Sequence, residues 1–129
     1  MRDPTDRLAP IVRFAPAKLN LTLAVVGRRP DGLHTLHSVM AALTVGDRLS
    51  AAAIPAAAGE TTTDTLHVEG LDPGPPGENL VLRAIALARE AVRPTWPAAP
   101  AVPPPLALRL EKRIPIAAGL GGGSADAAA

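Results

Sequence analysis

The chain has 129 residues, 13 basic and 12 acidic, for a formal net charge of +1, which is the size of one domain with no concentrated field of either sign. That balance, with one Phe, one Trp and no Tyr, excludes the basic, base-stacking surface of a nucleic-acid binder, and the absence of Cys excludes disulfide frameworks and thiolate metal sites. No apolar run approaches the roughly 18 residues of a membrane span, and the charged, proline-bearing start MRDPTDRLAP is not a secretory leader, so the sequence reads as soluble and cytoplasmic.

Leu, Ile, Val and Phe number 32 of 129, above the roughly 20% below which chains stay disordered, so a folded core is expected. In chain order, residues 17–26, AKLNLTLAVV, set Leu19, Leu21 and Leu23 against Lys18, Asn20 and Thr22. Period two predicts a half-buried strand. GRRPDGLH follows, with Pro30 and Asp31-Gly32 marking a turn. Residues 36–45 and 48–54 read as two strands joined by a hairpin at Val45-Gly46-Asp47. A short strand is expected at 66–69, between loops at 55–64 and 71–77.

Asn79, a favoured N-cap, opens a helix through about Arg93. Its expected apolar stripe is Val81, Ile85, Ala88 and Val92 beside Leu80, Ala84, Leu87 and Ala91, and Pro94 ends it. PTWPAAPAVPPP holds six of the fifteen prolines and reads as an extended connector. Leu106, Leu108 and Leu110 then alternate with Ala107, Arg109 and Glu111, a strand with one wet face. After Ile114 comes the run Pro115, Ile116, Ala117, Ala118, Gly119, Leu120, Gly121, Gly122, Gly123, Ser124 and Ala125, with Ser124 as a helix N-cap. A helix this short is unstable alone, so the sequence is expected to be the front part of a longer protein.

Chemistry concentrates at two places. The glycine run lies between a strand and a helix start, where backbone N–H groups can approach and bind an anion such as phosphate, and the Ser124 hydroxyl can add a hydrogen bond. A Walker A loop needs Lys before the Ser and the Rossmann pattern needs Gly where Ser124 stands, so neither common phosphate loop fits. Lys18, one of only two lysines, shares a strand face with Asn20, where a compact ammonium beside an amide can polarise a hydroxyl or phosphoryl oxygen. His34 and His37 form an H-x-x-H pair without an evident third ligand, and His67 reads as an ordinary strand residue.

The blocks APAKLNLTLAV, RRPDGLHTLHSV and IPIAAGLGGGSADAAA, in that order, resemble the GHMP kinase superfamily, and within it the branch that phosphorylates a cytidylyl-linked alcohol. The resemblance implies an α+β fold, a sheet of mostly antiparallel strands packed against helices and cut within the helix after the glycine-rich loop. Residues 1–129 would form an incomplete amino-terminal, ATP-binding domain, with the carboxy-terminal domain outside the chain. It further implies transfer of the γ-phosphoryl group of ATP, with Mg²⁺, to the 2-hydroxyl of the substrate. Residues Pro115 to Ala125 would be the ATP-phosphate loop and Lys18 the catalytic lysine. Asn20 and His34 would contact the cytidylyl substrate. Leu33 stands where the family usually places an aromatic side chain against the cytosine ring. Asp126 is expected as a first-turn helix acid, and the family's proton-accepting Asp is expected downstream of the loop. The partners implied are ATP and the small-molecule cytidylyl substrate, with no nucleic acid and no membrane. The competing readings are a GHMP kinase acting on a sugar, homoserine or mevalonate, and a chain that is inactive or only weakly binds nucleotide.

Overall fold

The computed structural model describes residues 9–54, 63–92 and 104–129. The start of the chain, most of the loop expected at 55–64, the helix stop at Pro94 and most of the proline connector lie outside the described residues. The elements are β1 (Ile11–Arg28), β2 (His34–Ala53), β3 (Thr65–Gly70), a single 3-10 turn (Pro76–Glu78), α1 (Leu80–Val92), β4 (Leu106–Lys112) and α2 (Gly122–Ala128). One sheet runs in the order β1-β2-β4-β3. The β1/β2 and β2/β4 pairs are antiparallel, and β3 lies parallel to β4, which is the expected α+β arrangement. No helix among the described residues is long and apolar enough to cross a membrane.

The core follows from period two on β4 meeting the first turns of α1. Leu108 and Leu110 are buried with Leu49 of β2 and Val81 of α1, and Leu66, Val68, Leu82, Ile85 and Leu106 pack against them. Each fully buried leucine contributes roughly 1.5–3 kcal/mol. Arg109 points the other way and pairs with Glu69 across the wet face at 2.7 Å. The Asn79 Oδ1 accepts the N–H of Val81 at 2.9 Å, the capping bond its side chain predicts. The apolar stripe of α1 is shorter than expected: Leu87, Ala88 and Val92 are exposed, because the sheet reaches only the first half of the helix. The second half is tied instead by Arg89, whose guanidinium donates to Asp64 at 2.7 and 3.0 Å, while Asp64 also accepts Leu106 N–H at 2.8 Å.

Two strand expectations need correction. The hairpin expected at Val45-Gly46-Asp47 does not form, and β2 runs through these residues without a turn. Its glycine serves close approach: a Cβ on Gly46 would sit 2.5 Å from the Ala15 carbonyl oxygen and 2.6 Å from Phe14 Cζ. The hairpin lies at 29–33, where Gly32 N–H bonds Arg29 C=O at 3.0 Å, Arg29 N–H bonds Leu33 C=O at 2.7 Å, and Asp31 Oδ1 accepts Leu33 N–H at 3.1 Å.

The first strand is also not half-buried along its length. Leu19, Leu21 and Leu23 are 47%, 60% and 58% exposed, because beyond Lys18 the β1–β2 pair projects as a two-stranded ribbon with no described element over it. A bulge at Leu21 lets Asn20 pair with Met40 and Thr22 with Val39, and a second at Val26 lets Val25 pair with Leu36 and Gly27 with Thr35, so the alternation is reset twice. The pairs Lys18/Ala42, Asn20/Met40, Leu23/Ser38, Val25/Leu36 and Arg28/His34 therefore share one face, where a strict period of two would have put Leu23 opposite Lys18.

Candidate active site

Parallel pairing of β3 with β4 decides where a site can form. Both strands end at one edge, with Gly70 opposite Lys112 and the Leu71 N–H bonded to the Lys112 carbonyl at 3.0 Å. The chain leaves β3 towards the 3-10 turn and α1, and leaves β4 through residues 113–121 into α2. Between the two exits lies a cleft of about 390 Å³, with Pro75, Asn79 and Leu80 on one side, the glycine loop on the other, and Lys112 and Asp126 also lining it. A crevice at the carboxyl ends of parallel strands is a common place for ligands to bind.

The loop backbone suits an anion. Ala117, Gly119 and Gly121 have φ of 56°, 74° and 70°, and left-handed residues at alternate positions turn successive N–H groups towards one concave side. Ala117 is the one non-glycine at positive φ among the described residues, a strain of roughly 1–2 kcal/mol that the surrounding turn holds in place. Of residues 115–124, all line the cleft except Leu120. Leu120 turns its carbonyl to β1, and Ala125 uses its N–H inside the helix on Gly121 C=O at 3.0 Å.

Ser124 is not the N-cap. Helix α2 starts at Gly122 with left-handed Gly121 in the cap position and no side-chain cap bond, so Ser124 is the third helical residue, exposed to the cleft. The glycines also divide their roles. A Cβ on Gly119 would meet nothing within 4 Å, whereas one on Gly122 would lie 2.8 Å from Ile114 Cγ2 and 3.1 Å from Lys112 Nζ. Gly122 thus allows α2 to pack on the end of β4: it lines the cleft with its backbone, and a side chain there would run into Ile114 and Lys112.

The structure brings Lys18 to this loop and Asn20 to Lys18. The Lys18 N–H donates to Leu120 C=O at 2.8 Å, its stem lies against Gly121, where a Cβ would be 3.0 Å from Lys18 Cγ, and its ammonium donates to Asn20 Oδ1 at 2.7 Å. Leu33 and His34 are placed elsewhere, exposed at the far end of the ribbon. His34 shares the ribbon face of Asn20 but pairs with Arg28, six ladder steps and roughly 20 Å of extended strand further on. Among the described residues, no hydrogen bond joins either to Lys18 or the loop. Among the described residues, no group of three or more His, Asp or Glu is placed to hold a metal ion.

Sequence reasoning missed a buried charge cluster beside the cleft. The Lys112 ammonium is bonded to Asp47 Oδ2 and, at 2.9 Å, to Asp126 Oδ2. Asp47 Oδ1 also accepts the N–H groups of Arg113 and Ile114 at 2.5 and 2.8 Å. Asp126 is therefore not an exposed first-turn acid. It is the fifth residue of α2, 3% exposed, and its Oδ1 is buried without a partner. Burial, a hydrogen bond to Asp47 that only the protonated acid can make, and the charge of Asp47 together push Asp126 up to about 6 against the pull of Lys112. Burial also disfavours the charged forms of Asp47 and Lys112, but their mutual bond and the two main-chain donors prevail, holding Asp47 below and Lys112 above their ordinary values. The rarity that singles out Lys18 applies equally to Lys112, the other of the two lysines.

Comparison with known proteins agrees with this geometry. The sequence pattern described as GHMP kinases N terminal domain matches residues 79–129. A 4-diphosphocytidyl-2-C-methyl-D-erythritol kinase of Pelotomaculum thermopropionicum is 50% identical over 119 residues, covering 92% of this chain and 37% of its own. Kinases of the same name from Paramagnetospirillum magneticum and Deinococcus radiodurans are 46% and 44% identical, over 89% and 96% of this chain. A crystal structure of 4-(cytidine 5'-diphospho)-2C-methyl-D-erythritol kinase superposes with a TM-score of 0.60 at 41% identity, again over 92% of this chain and 37% of that one. The chain spans a little over a third of the length of these relatives.

Proposed function

Because the chain belongs to the GHMP kinase family, we propose that it binds ATP in the cleft beside the glycine loop. We further propose that, as part of a longer protein, it phosphorylates the 2-hydroxyl of 4-(cytidine 5'-diphospho)-2-C-methyl-D-erythritol. The observation that carries this reading is the seating of Lys18 on the loop, through its N–H on Leu120 and its stem on Gly121.

Phosphoryl transfer asks a protein for positioning and charge neutralisation more than for covalent chemistry. The loop's N–H groups and the Ser124 hydroxyl orient the polyphosphate in the cleft. In this reading the Lys18 ammonium, held by Asn20 Oδ1, is the compact charge that offsets the negative charge developing at the transferred group. With its oxygen engaged, Asn20 presents its NH₂ to substrate oxygens. Mg²⁺, which shields phosphate charge in such reactions, would be held chiefly through the nucleotide's own oxygens, a common mode for this ion in kinases. The family resemblance implies an acceptor-activating Asp downstream of the glycine loop, and the complete reaction is proposed for a protein that includes it.

Two measurements test the reading. Calorimetric titration of the chain with ATP should show binding, and no heat or fluorescence change at millimolar ATP would refute the nucleotide site. The protein translated from the complete gene should turn over the cytidylyl alcohol in preference to mevalonate or homoserine. Preference for one of those instead would keep the family and discard the substrate.

A further inference from the structure

The buried cluster of Lys112, Asp47 and Asp126 has a geometry that the proposed reaction does not use directly. Lys112 is the last residue of β4 and Asp126 lies on α2, so their 2.9 Å bond closes the chain on itself around the glycine loop. At the start of the loop, Asp47 of β2 holds both Lys112 and the N–H groups of Arg113 and Ile114. Where the loop ends, the missing side chain of Gly122 lets α2 settle against Ile114 and Lys112 Nζ. The exit from β4 and the entry to α2 are thus fixed to one ammonium, and the strained turn at Ala117 lies between them.

We infer that Lys112 is a positioning residue for nucleotide binding: by bridging Asp47 to Asp126 it sets where the loop's N–H groups stand in the cleft. The inference rests on the proposed ATP site and deepens it. Burial of such a cluster is weak evidence of stabilisation, because well-packed apolar groups commonly replace buried ion pairs at no loss. Two carboxylates face one ammonium here, so removing Asp126 leaves a balanced Lys112–Asp47 pair. Loop order and global stability can therefore be separated by mutation.

The test uses the 129-residue chain and two variants, Asp126→Leu and Asp126→Asn. Asp126→Leu cuts the tie to α2, and Asp126→Asn keeps an oxygen for Lys112 to donate to. Hydrogen exchange, corrected for intrinsic rates, should quicken at least tenfold across residues 117–128 in the Leu variant and stay at the wild-type rate across residues 106–112. In the Asn variant the loop should stay near wild type. ATP affinity should fall about tenfold in the Leu variant with adenosine affinity unchanged, since only the phosphates meet the loop. Wild-type loop exchange in the Leu variant, or equal loosening of loop and sheet, would overturn the inference. If that variant does not fold, Lys112→Met with Asp126→Leu leaves Asp47 its two main-chain donors, and the same exchange pattern is required of it. A wild-type chain that binds no ATP would discard the nucleotide site while the exchange comparison still decides the role of Lys112.

Discussion

Replacing Asp126 by Asn should stabilise the protein above neutral pH, although it removes half of an apparent salt bridge. The carboxyl is raised from 3.8 to about 6 in the folded chain, so folding favours its protonated form. A raised carboxyl contributes stability that is fully present below pH 3.8 and is lost as pH rises through about 6. About two pKa units at 1.36 kcal/mol each give a loss on the order of 3 kcal/mol across that window. Asn mimics the protonated acid: its oxygen still accepts from Lys112 and its NH₂ can donate to Asp47, with no charge to bury. Urea denaturation of both proteins between pH 4 and 8 measures the difference. The variant's advantage should be absent near pH 4, grow through pH 6 and level off above it. Lys112 and the two main-chain donors hold Asp47 below its ordinary value, so it stays ionised across this range and the change is read on Asp126. A difference that stays flat across this range, or one that favours the wild type increasingly towards pH 8, would refute the reasoning.

In the longer protein, Lys18→Ala should lower kcat far more than it raises KM for ATP; steady-state kinetics with an intact kcat would make Lys18 a binding residue only. Gly122→Val should act through packing, because its Cβ would meet Ile114 Cγ2 at 2.8 Å. A loss of about 1–3 kcal/mol by chemical denaturation is expected, and unchanged stability with lost ATP binding would place Gly122 against the phosphates after all. Leu33→Tyr should lower KM for the cytidylyl substrate, since stacking on an aromatic is worth about 1–3 kcal/mol per base; an unchanged or higher KM would count against Leu33 lining a base pocket.

Much of the fold was legible because local chemistry and packing agree. Leu106, Leu108 and Leu110 alternate because one face meets α1 and the other meets water, and Asn79 caps where its side chain predicts. Legibility failed where one residue serves a distant contact. Val45-Gly46-Asp47 has the composition of a turn, yet Gly46 is there for Phe14 and Ala15, and Asp47 for the exit of β4 more than sixty residues on. Period two cannot anticipate the bulge at Leu21, because nothing in the local pattern announces an unpaired residue. At the site, the glycine loop and Lys18 could be read from their residues and from the family resemblance. That Asp126 turns inward could not, since its partners Lys112 and Asp47 lie 14 and 79 positions away. Leu33 and His34 were found by resemblance alone, and the fold of this chain leaves them at the tip of the ribbon.

The bond from Lys18 N–H to Leu120 C=O has an experimental use of its own. It is a main-chain link between an edge strand and the loop, so the loop cannot shift without changing the environment of that amide. The Lys18 N–H resonance is therefore a native reporter of loop position, needing no label beyond ¹⁵N. Its chemical shift should move when polyphosphate enters the cleft, and its temperature coefficient should distinguish a loop resting on the strand from one that has lifted away.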